Sequence, residues 1–211
     1  MPILKINSIG KEQAWALWYI DETEAALSFF AQESCPEEIV NQQKRLEWLA
    51  VRALMKSVTA EFGLPYSGLR KDEFGKPFLK EHSHQISLSH SFPYVAVQLA
   101  RHYPVGIDLE QPKEKLRIIA PRVFNPEEIK DAGDDVVKLC IYWCAKEALY
   151  KIYGRRNLLF TDHLRVMPFD LSQSGNINGK IILPNLETTV CLQYLVKEDF
   201  ALVYTALQTT E

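Results

Sequence analysis

Two short stretches hold the residues from which chemistry could be built. In Val105-Gly106-Ile107-Asp108-Leu109-Glu110, two carboxylates stand two positions apart in an otherwise apolar run. Val, Ile and Leu at such positions predict a short buried strand. Alternation along a strand sends Asp108 and Glu110 out of one face, roughly 6.5–7 Å apart at the backbone. Two like charges on a half-buried face repel unless a cation lies between them. Hard oxygen donors with no nearby His or Cys favour Mg²⁺ over zinc. Gly106 keeps the surface low just before the first carboxylate, where a large ligand group could approach the backbone. In Trp143-Cys144-Ala145-Lys146-Glu147-Ala148-Leu149-Tyr150-Lys151, Glu147 and Lys151 are four apart and share a face of a predicted helix. Each pattern has a plain alternative. An isolated D-x-E is a strand edge with two solvated acids, and an exposed i,i+4 pair is worth only a few tenths of a kcal/mol.

Cations and hydroxyls upstream add to these. Lys44, Arg45 and Arg52 lie on one predicted helix, and Arg45 and Arg52, seven apart, fall on nearly one face. That face is either solvated or a pair of guanidinium groups aimed at a phosphate. Arg70-Lys71-Asp72-Glu73-Phe74-Gly75-Lys76-Pro77 contains a Gly-Lys-Pro turn that presents Lys76 from a stiff loop. Ile86-Ser87-Leu88-Ser89-His90-Ser91 is a strand ending in small polar residues, whose hydroxyls and imidazole can supply hydrogen bonds to a phosphate. His82, His84, His102 and His163 read as structural.

The elements that must position these groups follow from pattern. Residues 3–6 and 14–20 read as strands joined by a turn at 8–11. A helix over 21–30 has Asp21 as N-cap and Glu24 as a capping-box partner. A longer helix starts after Cys35-Pro36, with Pro in its first turn, and runs to Phe62, where Gly63 and Pro65 stop it. Residues 94–100 alternate as a strand, and 101–103 turn back into the Asp108 strand. Residues 116–124 form a helix. Asn125-Pro126-Glu127-Glu128 opens another, and a third runs from about Asp134 or Asp135 to Gly154. Residues 157–166 are a loop with an uncertain strand. A turn at 175–179 then leads into an antiparallel meander of strands at 180–183, 189–195 and 200–207.

The chain has 211 residues, 47% hydrophobic and 24% charged, with a net charge of −3. That describes an ordinary globular chain without the bulk basicity of a nucleic-acid or anionic-membrane binder. No apolar run reaches the roughly 18 residues of a bilayer span, and the N-terminus lacks signal-peptide character. Cys35, Cys140, Cys144 and Cys191 have no framework spacing and read as reduced thiols of a cytoplasmic protein. Cys140 and Cys144 share a helix face but make a poor zinc site alone.

The combination of stretches, in this order and at this spacing, resembles the 4′-phosphopantetheinyl transferases. Gly106-Ile107-Asp108-Leu109-Glu110, followed about forty residues on by Trp143 through Lys151, is similar to that family's paired signature. Phe74-Gly75-Lys76-Pro77, Ser89-His90-Ser91 and the Lys44–Arg52 helix resemble its long, surfactin-synthetase-activating type. Ser87 stands where that family often has Asn, and Cys144 where Thr or Ser is usual.

The resemblance implies an α+β fold of two similar halves, 1–103 and 104–211, forming a pseudo-dimer in one monomeric chain with the site in the cleft between them. It implies transfer of 4′-phosphopantetheine from coenzyme A to a serine of an apo acyl or peptidyl carrier protein, releasing adenosine 3′,5′-bisphosphate. Asp108, Glu110 and Glu147 would hold Mg²⁺, Glu147 would act as base, and Lys151 would neutralise pyrophosphate charge. Arg45, Arg52, His90 and Lys71 are candidates for the 3′-phosphate. Lys76 and Ser89 would border the adenine, and Asp108 and Lys151 would also lie on the coenzyme. Arg117, Ile118, Ile119, Arg122, Val123 and Phe124 offer a docking surface for an acidic carrier. Neither nucleic acid nor membrane is expected as a partner. Two other functions fit the same residues: a Mg²⁺-dependent phosphohydrolase, or a carrier-binding module without activity.

Overall fold

The computed structural model describes residues 3–9 and 12–206. Its element order is β1(Ile3–Ile9), β2(Gln13–Tyr19), α1(Glu24–Ala31), α2(Gln42–Glu61), β3(Leu69–Lys71), β4(Pro77–Leu79), β5(Gln85–Ser91), β6(Tyr94–Ala100), β7(Ile107–Glu110), α3(Lys115–Val123), α4(Pro126–Ala132), α5(Val136–Tyr153), α6(Phe160–His163), β8(Leu164–Val166), β9(Ser174–Leu183), β10(Leu186–Val196) and β11(Ala201–Thr205). Helices with antiparallel sheets make this an α+β fold. The chain divides into two compact units, Met1–Val105 and Gly106–Glu211. No helix among the described residues is long and apolar enough to cross a membrane.

In the first unit, four antiparallel strands run in the order β1-β2-β6-β5, and β3-β4 form a separate hairpin. Alternate residues of the central strands, Ala14, Ala16 and Trp18 with Val95, Val97 and Leu99, meet Leu49, Ala50, Ala53 and Leu54 of α2 in one core. Two helix starts lie later than the sequence pattern predicts. Thr23, rather than Asp21, caps α1, its Oγ1 accepting the Ala26 N–H at 3.3 Å. Asn41 caps α2 by accepting the Lys44 N–H at 3.0 Å, so Pro36 precedes the helix instead of opening it. In each case a short polar side chain that can fold back on the next turn outcompetes the earlier candidate. β1 extends to Ile9, past the start of the expected turn; residues 10 and 11 of that turn, and 207 of the last strand, lie outside the described residues.

In the second unit, five antiparallel strands run in the order β7-β11-β10-β9-β8. Asn125 caps α4 as expected, Glu128 closes a capping box with it, and Asp135 and Gly154 bound α5. The expected turn at 175–179 is instead the first half of β9. Gly175 and Gly179 are there for close packing: a Cβ would come within 2.8 Å of the Tyr194 ring at the first and of Leu149 Cδ1 at the second. The chain reverses later, between Leu183 and Leu186.

One polar network holds this unit's helices in register. Lys146 and Glu128 are both fully buried, with Nζ 2.7 Å from Glu128 Oε2. Lys146 also donates to the carbonyls of Val123 at 2.9 Å and Phe160 at 2.7 Å, so all three of its protons are used. Glu128 accepts the N–H groups of Asn125 at 2.9 Å and Val166 at 2.8 Å. The end of α3, the starts of α4 and α6, and β8 are thereby tied to the middle of α5. Removing one partner of such a pair strands a charge in the interior. Lys146→Met should therefore cost about 3–5 kcal/mol in urea unfolding. A loss below about 1 kcal/mol would show that the network carries no more than a surface pair.

Candidate functional site

The chemistry-bearing residues of the second unit are set by how α5 lies along β7. Cys140 is buried and points its thiol at the Glu110 carbonyl, 3.4 Å away. One turn on, the buried Cys144 lies 3.7 Å from the Ala201 carbonyl on β11. Another turn on, the backbone of Ala148 reaches Gly106: a Cβ on residue 106 would stand 2.0 Å from the Ala148 carbonyl oxygen. The close approach expected at Gly106 is therefore made by a helix backbone and not by a ligand. Small residues at positions 140, 144 and 148 let the helix sit this low.

That seating delivers Lys151 to the strand. Its Nζ donates to Asp108 Oδ1 at 2.7 Å and to the Ile107 carbonyl at 2.8 Å. Asp108 is only 7% exposed. Glu147, one turn before Lys151, is half-buried. Burial, and secondarily the Asp108 charge, push its carboxyl up to about 7, with Lys151 pulling it back. At neutral pH such a group can accept a proton from a substrate hydroxyl. Glu110 leaves the same strand two residues beyond Asp108, accepting the Gln111 N–H at 2.9 Å and facing Lys115 Nζ at 3.2 Å.

Among the described residues, no three His, Cys, Asp or Glu side chains are grouped as they stand to hold a metal ion. The donor types nevertheless suit a hard cation, being carboxylates on adjacent elements. Lys115 is 55% exposed, and such a surface pair is worth about 0–1 kcal/mol. It is too weak to keep Glu110 from a divalent ion.

The first unit holds its candidates differently. Arg45 and Arg52 share a face of α2 as expected, yet each already has a carboxylate. Arg45 grips Glu24 of α1 through Nε at 2.9 Å and Nη2 at 2.6 Å, and its Nη1 donates to the carbonyls of Pro36 and Ile39. Arg52 meets Glu33 at 3.2 Å and stacks over the Trp48 ring. Both tie α1 and its exit to α2.

Lys71 is exposed on β3. Lys76 follows a turn in which Asp72 accepts the Phe74 and Lys76 N–H groups at 2.9 and 2.8 Å and Gly75 takes φ +89. Burial pushes Lys76 below its usual value, with Asp72 opposing. Ser89 and His90 are neighbours on β5 and so leave opposite faces. His90 falls on the side of Ile86 and Leu88, against α2. The hydroxyls of Ser87, Ser89 and Ser91 fall on the other, so the four side chains do not converge on one group. On α3, Arg117, Ile118 and Arg122 are exposed, whereas Phe124 is buried in the core and drops out of the docking surface.

Two charged residues whose burial the sequence reading did not single out hold the frame of their own unit: Glu47, which faces His90 at 3.2 Å in the first, and Lys146, inside the Trp143–Lys151 signature, in the second. Their signal is a charge on the buried face of a helix: Glu47 shares its face with Ala50, Val51 and Leu54, and Lys146 with Tyr142 and Leu149.

Residues 104–205 match the family model of the 4′-phosphopantetheinyl transferase superfamily. The matched stretch contains Asp108, Glu110, Glu147 and Lys151. Among curated proteins the chain has no match.

The seating of α5 on β7 leads to a direct expectation. Gly106→Ala must push strand and helix apart, because the obstacle is backbone. Overpacking of this kind costs roughly 1–3 kcal/mol, and urea unfolding should show it. An unchanged unfolding midpoint would mean that the helix is not seated on residue 106.

Proposed function

We propose that this chain transfers 4′-phosphopantetheine from coenzyme A to a serine hydroxyl of an apo acyl or peptidyl carrier protein, and that it is of the long, surfactin-synthetase-activating type. The observation that carries the reading is Lys151 reaching from α5 to the buried Asp108 on β7, with Glu147, its carboxyl at about 7, one turn away. The family match over residues 104–205 supports it.

In the reaction the serine oxygen attacks the phosphorus bearing the pantetheine arm. The bond from that phosphorus to the bridging oxygen breaks, and adenosine 3′,5′-bisphosphate leaves with the electron pair. Glu147 takes the serine proton. Lys151 neutralises charge building on the pyrophosphate oxygens, a role open to a lysine with three donors and no bulk beyond its ammonium. Asp108, Glu110 and Glu147 would hold Mg²⁺, which when bound polarises the pyrophosphate and stabilises the leaving charge.

For the coenzyme we assign His90 and Lys71 to the 3′-phosphate and Lys76 and Ser89 to the adenine. Arg45 and Arg52 reach a phosphate only by releasing Glu24 and Glu33, which makes them the weaker part of the expected set. The exposed cations of α3, Arg117 and Arg122 flanking Ile118, suit an acidic carrier. The reading places a monomeric, pseudo-dimeric chain in the cytoplasm, in keeping with four free thiols.

The test is to incubate the chain with coenzyme A, Mg²⁺ and a panel of apo-carriers, then weigh the products. A carrier gaining one phosphopantetheine, only with Mg²⁺ present, is the expected result. Phosphate release without any carrier, and no change in carrier mass, would overturn the reading in favour of a phosphohydrolase.

A further inference from the structure

Glu47 carries a carboxylate on α2 yet is only 5% exposed. Its Oε2 lies 3.2 Å from His90 Nδ1, its Oε1 takes a long bond from Gln43 Nε2 at 3.4 Å, and the Phe92 backbone N–H also donates to it. Burial alone would push this carboxyl up. The His90 ring and the other donors more than offset that, and the group is held below its usual value. It is therefore ionised at neutral pH. The His90 side chain, by contrast, is 56% exposed.

A carboxylate behind an imidazole fixes the ring plane and decides which nitrogen carries the inward proton. With Nδ1–H given to Glu47, the outward nitrogen is Nε2. A phosphate group bound on that side and the Glu47 carboxylate would hold the ring between them. We infer that Glu47 is a positioning residue: it holds the His90 ring so that Nε2 faces outward toward a phosphate group of the substrate. This rests on the assignment of His90 to the coenzyme 3′-phosphate made above.

A merely structural staple between α2 and the end of β5 would not distinguish between substrates, and the test uses that. Glu47→Gln keeps an oxygen for the Phe92 N–H while removing the charge. KM and kcat are measured with coenzyme A and with dephospho-coenzyme A, which lacks the 3′-phosphate, for the full chain, Glu47→Gln, His90→Ala and the double variant. A charge-assisted bond is roughly twice as strong as a neutral one, so Glu47→Gln should raise KM for coenzyme A about tenfold with kcat unchanged. KM for dephospho-coenzyme A should not move, and Glu47→Gln should add nothing to His90→Ala. If Glu47→Gln folds poorly, Glu47→Asp carries the test, since it keeps the charge without the reach; its KM rise should again be confined to coenzyme A.

A Glu47 variant that leaves KM for coenzyme A unchanged, shifts both substrates alike, or adds in full to His90→Ala overturns the positioning role. If His90→Ala itself treats the two coenzymes alike, the assignment of His90 is what fails, and the role of Glu47 falls with it.

Discussion

The approach of α5 to β7 at Gly106 is the constraint on which the rest of the second unit depends. A helix carbonyl occupies the place where any side chain on residue 106 would begin. Because the helix sits that low, a lysine on it can span to a carboxylate on the strand and also satisfy the Ile107 carbonyl. The glycines of β9 act in a similar way, admitting Leu149 at Gly179 and Tyr194 at Gly175. Backbone closeness, rather than a loop, sets how far Lys151 reaches toward Asp108, the fixed geometry that the proposed reaction needs.

Buried charge divides the molecule's polar residues into two kinds. Lys146 and Glu128 use every donor and most acceptor capacity inside the protein, leaving nothing for a substrate. Arg45 is held almost as fully, by Glu24 and two carbonyls, and Arg52 less so, by Glu33, the Trp48 carbonyl and the Trp48 ring. Glu147 is different. Burial and the neighbouring Asp108 raise its carboxyl, so its environment favours gaining a proton or an added positive charge. A satisfied network specifies the frame, and an under-compensated carboxyl marks where chemistry can occur.

Much of this was legible in the sequence, for identifiable reasons. The Asn125 cap of α4 and the Asp135 and Gly154 ends of α5 are readable because their signals are local. The Asp108 strand and the facing Glu147 and Lys151 were readable because period 2 and period 3.6 fix which side chains share a face. Gly175 and Gly179 misled because glycine signals both a turn and a close approach, and only the Tyr194 and Leu149 neighbours, distant in sequence or on another element, decide between them. The arginines of α2 show only half of their setting in the sequence, for a related reason. Their common face is local, but their partners Glu24 and Glu33 lie 21 and 19 residues away. Ser89 and His90 looked like one cluster in sequence, yet strand alternation separates them.

On the proposed reading Asp108, held on β7 against α5, belongs to the reacting centre and not only to the fold. Asp108→Ala tests it most directly: the purified variant is compared with the parent by circular dichroism, then given coenzyme A, Mg²⁺ and an apo-carrier that the parent converts, and the carrier is weighed. The spectrum should be unchanged and the carrier should gain no phosphopantetheine. Conversion near the parent's rate by a fully folded variant would contradict that reading.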